Sequence, residues 1–297
     1  VTADAAAGTG GWREAALAVG TPALFVLLWS TGFIFAKLGL LAAEPATFLS
    51  VRYLFVIPVL LAIAVALRVR WPSPRGAAHS AIVGVLMHVV YLGGVFSAIE
   101  KGVPAGVSAL IVGMQPLLTA TLVGPMLGER VKPVQWAGLL LGLVGLVLVL
   151  EEKLALGQGS AFGYALCFAA LAGITIGTIY QKRYCARIDL VAGGVLQFTA
   201  ALIVTAALAF AFESMRVAWT ANFIIAVSWL AFVLSVMTVG LLMWLIRRGA
   251  AAKIASLFYL TPAVAALMAW PLFGETFALV GLLGMALTVI GVALANR

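Results

Sequence analysis

The chain has 297 residues, of which 64% are hydrophobic and only 9% charged. Soluble domains are roughly 45–50% apolar, so the composition excludes a soluble enzyme or a soluble nucleic-acid-binding protein. The net charge of +8 is then a matter of topology, because lysine and arginine mark the cytoplasmic loops of membrane proteins.

A stretch of about 20 apolar residues crosses a bilayer as a helix. Ten such segments follow in chain order, over about 17–41, 47–67, 77–99, 104–127, 133–150, 159–182, 190–212, 221–246, 251–273 and 277–295. The connections are short and leave no room for a separate soluble domain. The first segment follows Arg13 as a signal sequence would. It exceeds the 7–15-residue core of a cleaved signal, so it is expected to stay as the first span. The sequence predicts an all-α integral membrane protein with ten transmembrane helices.

With the N-terminus inside, thirteen basic residues fall on the cytoplasmic side: Arg13, Arg68, Arg70, Arg75, Arg130, Lys132, Lys182, Arg183, Arg187, Arg247, Arg248, Lys253 and Arg297. Only Lys101, Lys153 and Arg216 fall on the other, with Lys37 and Arg52 near that end of helices 1 and 2. Both termini are expected in the cytoplasm and the chain in the inner (plasma) membrane. Its partners are then the lipid bilayer and a small-molecule substrate, with no nucleic acid, and the chain a monomer or homodimer.

Residues 105–150 and 251–296 align without a gap at an offset of 146. Pro116 falls on Pro262, Pro125 on Pro271, Gly128 on Gly274, Glu129 on Glu275, Gly138 on Gly284 and Gly145 on Gly291. Chance matches among apolar segments are at Leu, Val and Ala, not at prolines, glycines and an acid. The organisation read from this is a tail over 1–15, a first five-helix repeat over 16–150 and a second over 151–297. Five helices is an odd number, so the second copy enters from the opposite side. Inverted repeats of this kind hold substrate near mid-membrane between the halves.

Chemistry-bearing motifs are few. There is no His-Glu-x-x-His pair, Gly-x-Ser-x-Gly elbow or phosphate-binding glycine-lysine loop. The two histidines, His79 and His88, are nine residues apart, which does not fit a helical metal pair. No metal, cofactor or catalytic residue is therefore expected. Cys167 and Cys185 are too far apart along a helix for a disulfide. His79 lies at a helix end and reads as a solvated interfacial residue.

His88 sits near mid-span in helix 3, where an ionisable group usually faces the bundle interior or a wet cavity. Tyr91, three residues on, would share its face on an α-helix, and Gly93 and Gly94 permit close approach or bending. The plainer reading of His88 is a packed residue bonded to a carbonyl. In helix 4, Ser108, Gln115 and Thr119 form one stripe, and Pro116 frees a carbonyl one turn earlier. Ser256, Tyr259 and Thr261-Pro262 mark the matching point in helix 9. Ser, Thr and Gln can equally be interhelical glue. Trp29, Met114, Tyr180, Met237, Trp244, Phe258 and Tyr259 could line an apolar pocket, with Tyr180 better read as structural. Trp71, Trp136 and Trp219 read as interfacial anchors. Arg52, placed about one turn into helix 2, reads as a structural ion pair with Glu44 or Glu100 or as a gate, with a carboxylate-substrate contact third. For Lys37, snorkelling to the interface is the better reading. The candidate substrate residues are thus His88, Tyr91, Trp29, Met114, Gln115, Ser256, Tyr259, Met237 and Trp244, with Pro116, Pro262, Gly93 and Gly94 as hinges. No Asp or Glu lies in the core of any segment, and no cluster of midplane cations would bind phosphate.

The duplicated module, Leu28-Trp29-Ser30-Thr31-Gly32 through Lys37, Pro45 with Arg52, and the run Pro116…Gly128-Glu129…Gly138 resemble the EamA-type drug/metabolite transporters over essentially the whole chain. Trp29-Ser30-Thr31 and a helix-3 histidine amid aromatic residues are similar to that family's aromatic amino-acid exporters. The second copy has no clear partners for Trp29-Ser30 or Pro45/Arg52, so the halves are expected to contribute unequally. The resemblance implies a secondary transporter exporting small amphipathic metabolites, aromatic or hydrophobic amino acids first, by alternating access. A multidrug or nucleotide-sugar carrier is the transport alternative. A membrane-embedded enzyme or lipid-handling protein is the alternative of another class.

Overall fold

The computed structural model describes residues 8–115, 117–119, 121–122, 132–155, 158–238, 241, 261–274 and 278–295. Its helical segments correspond in order to the ten apolar stretches of the sequence. They are α1 (Gly8–Leu40), α2 (Pro45–Ala66), α3 (Pro74–Glu100), α4 (Ala105–Val112), α5 (Pro133–Ala155), α6 (Ala161–Tyr184), α7 (Leu190–Phe212), α8 (Ala221–Thr238), α9 (Thr261–Phe273) and α10 (Leu279–Ala295). Among the described residues no strand forms beyond one antiparallel bridge, Ala43 to Val217.

By length and composition six helices can cross a membrane: α1 from Gly20, α2, α3, α6, α7 and α8. The described apolar stretches of α4, α5 and α10 are shorter, at 10–17 residues. Local chemistry sets the starts. Pro45 opens α2, where its missing N–H costs nothing. Ser73, Ser160, Asp189 and Thr220 cap α3, α6, α7 and α8 by accepting backbone N–H bonds.

Two helices leave α geometry midway. α3 is π-helical over Val85–Tyr91, and α8 over Trp229–Thr238. At the repeat offset of 146, the first stretch corresponds to residues 231–237, inside the second. Ser235 and Thr238 each donate a side-chain hydroxyl to the carbonyl five residues back, at 2.9 and 2.8 Å.

The repeated glycines meet each other. α5 and α10 pack closely, and a Cβ on Gly145 would lie 2.6 Å from the Thr288 nitrogen and clash with the Gly284 carbonyl. One on Gly291 would lie 2.5 Å from the Gly138 carbonyl and 2.8 Å from the Gly142 Cα. Gly138 corresponds to Gly284 and Gly145 to Gly291 at the repeat offset, so the two contacts are reciprocal. Around the other side, Phe48 packs on Phe96 and Phe223 at ring separations of 5.3 and 5.2 Å, joining α2, α3 and α8.

At one end of the bundle the α1–α2 and α7–α8 connections are joined. Glu213 accepts the Ala46 and Thr47 N–H groups and the Thr47 hydroxyl, each at 2.7 Å. A carboxylate at a helix N-terminus is favoured by the unpaired N–H groups and the helix dipole. In return Glu44 accepts the Ser214 N–H at 2.7 Å and its hydroxyl at 2.6 Å, and the Ala218 N–H donates to the Ala42 carbonyl at 2.9 Å. The Ser214 hydrogen bonds hold the Glu44 carboxyl below its ordinary range. Because its folded value is depressed, its contribution is complete at neutral pH and fades only as pH falls below about 4.3, the ordinary glutamate value. Glu213→Ala is expected to lower stability by about 2 kcal/mol, the scale of a charged hydrogen-bonding group. Thermal unfolding in detergent should show a smaller loss for Thr47→Val. Equal stability of Glu213→Ala and wild type would remove the latch.

At the opposite end Arg68, Arg70, Arg75 and Arg187 gather round a cleft of about 870 Å³ with Trp71, His79 and Tyr184. His79 is not simply solvated. Its Nδ1 is 2.8 Å from the Tyr180 hydroxyl and its ring stacks on Tyr184 at 4.7 Å. If this end is cytoplasmic, a cysteine placed near Arg75 or Arg187 stays unlabelled by an impermeant reagent added to cells, while one near Glu152 reacts. Labelling near Arg75 in intact cells would reverse the topology.

The charges expected to pair with Arg52 are engaged elsewhere. Glu44 serves Ser214, and Glu100 pairs with Lys101 at 3.1 Å. The Lys37 ammonium lies 4.3 Å from the centre of the Phe273 ring. Cys167 and Cys185 are both free thiols.

Candidate functional site

The π turn of α3 packs on α6 and α7 in the interior and is bonded to α2, which in turn packs on the π stretch of α8. Arg52 follows Pro45 by seven residues, about 10 Å along the axis at 1.5 Å per residue. That is two turns into α2, deeper than the one turn expected. Its side chain is 4% exposed, and its Nη2 donates to the Ser235 hydroxyl at 2.9 Å. Nε and Nη1 have no partner among the described residues. A buried charge in an apolar span costs several kcal/mol unless it is compensated, so such residues usually mark function.

Tyr53, next in the chain and fully buried, donates its hydroxyl to the His88 carbonyl at 2.7 Å. A π turn displaces carbonyls from their α-helical donors, and Tyr53 satisfies this one. The His88 ring stacks on Phe198 of α7 at 4.2 Å and meets the Tyr53 ring edge-on at 6.0 Å. Gln197 lies beside it. His88 is only half-buried although it is mid-span, and its Nδ1 is buried without a partner. The charge of Arg52 is close enough to act on Tyr53, His88 and Tyr91 alike.

Close backbone approach holds this turn. A Cβ on Gly173 of α6 would lie 3.0 Å from the Leu86 carbonyl and 3.1 Å from the Tyr91 nitrogen. Gly173 and Gly177 of α6, whose added carbons would meet Leu86, Met87 and Tyr91, therefore seat the π stretch. The wider π turn opens the angle between residues three apart, so His88 and Tyr91 share a face less closely than α spacing implies. Tyr91 is buried at 7% exposure.

The helix-1 motif reaches the second half of the chain. Ser30 donates to the Val26 carbonyl at 2.7 Å and lies 3.2 Å from the Thr261 carbonyl. Thr31 accepts the Trp229 indole N–H at 2.8 Å. Trp29 packs on Phe25 at 5.6 Å, in a small cluster with Leu241 and Val264.

Other expected residues go elsewhere. Ser108 lies 3.6 Å from the Cys167 sulfur, and Gln115 donates to Thr178 at 3.1 Å, both on α6. Thr119 returns its hydroxyl to the Gln115 carbonyl at 2.8 Å. Helix 4 is interrupted by a turn at Gly113-Met114, and Met114 joins the core between α4, α5 and α6. Gly94 packs against Leu166 and Ala170, while Gly93 has room around it. Met237 is 62% exposed and stands outside the buried cluster. Pro262 lies in α9. Trp244, Ser256, Phe258, Tyr259 and Pro116 lie outside the described residues.

Tyr53, Gln197, Phe198 and Ser235 are the members that sequence reasoning missed. The pair Arg52-Tyr53, a charged and a phenolic group side by side in a mostly apolar helix, is the signal that would have found a member.

The sequence pattern of the EamA-like transporter family matches the chain twice, over residues 17–151 and 161–297. The uncharacterized inner membrane transporter YedA of Escherichia coli K12 is 26% identical over 276 residues, 92% of this chain and 89% of that one. A protein named a probable amino-acid metabolite efflux pump in Salmonella typhimurium LT2 is 27% identical over 281 residues, 90% of this chain and 91% of its own. A crystal structure aligns with a TM-score of 0.65 at 21% identity, covering 93% of this chain and 95% of that chain, and so shares the fold.

Proposed function

The chain belongs to the EamA-like transporter family, and from that premise we propose that it exports small amphipathic metabolites, aromatic or hydrophobic amino acids foremost. The observation that carries the substrate class is the pairing of a buried guanidinium with a partly open, aromatic-lined histidine. An apolar body with a few polar handles suits such a site, and a polyphosphate does not, since no cluster of midplane cations accompanies Arg52. The name of the Salmonella relative points the same way.

The mechanism proposed is alternating access by two inverted five-helix repeats, 16–150 and 151–297, with both termini cytoplasmic. The reciprocal α5–α10 contact and the matched π stretches support a two-fold relation of the copies. Helices 3–4 and 8–9 each close one side, and Pro116 and Pro262 mark where helices 4 and 9 yield. Export is tested in intact cells fed dipeptides that release phenylalanine, leucine or lysine inside. Expression should raise external phenylalanine and leucine above control cells. Unchanged efflux of all three would overturn amino-acid export.

A further inference from the structure

Arginine does not lose its proton in proteins, so Arg52 carries its charge into the interior. The sequence offers no carboxylate in return: every Asp and Glu lies outside the ten apolar segments. Among the described residues the Ser235 hydroxyl bonds Arg52, and Tyr53, His88 and Tyr91 lie within range of its charge; none of them is an acid. Ser235 spends its own hydroxyl proton on the Leu230 carbonyl at 2.9 Å. Its lone pair is thereby turned to Nη2 of Arg52, which fixes one nitrogen and leaves Nε and Nη1 without a partner among the described residues. The buried Nδ1 of His88 likewise has no partner among the described residues, on a ring already stacked on Phe198.

We propose that Arg52 is the anchor for a carboxylate on the transported molecule, whose apolar body lies against His88, Phe198 and Tyr53. A carboxylate supplies the countercharge that the chain lacks and accepts from the guanidinium by short, charge-assisted bonds. The inference rests on the export reading for its substrate and adds a second consequence. With no acid in the spans, the site holds no countercharge for an ammonium group. It therefore reads a carboxylate with an apolar body, and an α-amino group is dispensable. The 2-oxo acid of an aromatic amino acid should be bound as well as the amino acid itself.

Ligand-induced thermal shifts of the purified full-length protein test this with L-phenylalanine, phenylpyruvate, L-phenylalaninamide and phenethylamine. The first two should stabilise the protein at similar concentrations. The last two, lacking the carboxylate, should require at least about tenfold more, the scale of one charged hydrogen-bonding group. Arg52→Gln should erase the difference while keeping or raising the unliganded melting temperature, because it removes an uncompensated charge. Arg52→Lys, which keeps the charge but not the fork, should retain part of the preference. Binding of the amine or the amide as tight as that of L-phenylalanine, a carboxylate preference surviving in Arg52→Gln, or failure of that variant to fold would each overturn the anchor. Carboxylate-dependent binding without any export of amino acids would overturn the export reading alone.

Discussion

Valine at Gly291, or at Gly145, is expected to leave little folded protein in the membrane. At both positions the added carbon meets backbone: the Gly138 carbonyl and Gly142 for Gly291, the Gly284 carbonyl and Thr288 for Gly145. Backbone cannot turn aside as a flexible side chain would, so α5 and α10 must separate. Overpacking typically costs about 1–3 kcal/mol, and separating two helices that pack by small-residue contact adds the loss of their dispersion attraction. The Thr288 hydroxyl bond to the Gly284 carbonyl at 2.9 Å would be strained as well. A suitable control is Gly194→Ala, where the new carbon meets only the Leu60 side chain at 3.4 Å. Detergent gel filtration should show a folded peak for the control and a lost or broadened one for the two valine variants. Normal peaks for both valine variants would show that the two helices do not pack as described.

His88→Ala is expected to reduce transport by about 100-fold or more, if the ring both stacks on the substrate and presents Nδ1 to it. Part of the ring is open, so its loss should lower stability less than a fully buried aromatic, about 3–5 kcal/mol. Tyr53→Phe separates the roles. It strands the His88 carbonyl, which has the Tyr53 hydroxyl at 2.7 Å, and should cost about 1–3 kcal/mol with a smaller loss of transport. Rates normalised to folded protein, beside melting temperatures, distinguish the two. If His88→Ala loses stability and activity together while normalised transport stays intact, His88 is a packing residue.

The sequence was informative where chemistry is local. Segment order and the glycine repeat of α5 and α10 follow from residue type and spacing. What it could not show is rotation. The few polar residues of α2, α7 and α8 are scattered hydroxyls, amides and one arginine among apolar side chains, and they mark no single inner face. That is why Met237 was an attractive pocket residue and is exposed, and why Phe198 escaped notice. Ser235 is on the same helix as Met237, and only the packing of α2 against α8 shows which of them meets Arg52. The π stretches were equally hidden. Val85-Leu86-Met87-His88-Val89-Val90-Tyr91 carries no break or proline, and the extra residue per turn depends on Tyr53 and Gly173 from other helices. The pairing of Arg52 with an acid failed for a related reason: proximity in the topology put Glu44 on the right side, but Ser214 offers that carboxylate two donors at the surface.

The claim that this chain is an exchanger of carboxylated, apolar metabolites through the Arg52–His88 site is tested most directly by counterflow in proteoliposomes. Vesicles preloaded with unlabelled L-phenylalanine should transiently accumulate the labelled compound above equilibrium with the unaltered protein. They should fail to do so with Arg52→Gln and with His88→Ala. Equilibration with no acceleration by internal substrate, or undiminished accumulation in both variants, would contradict it.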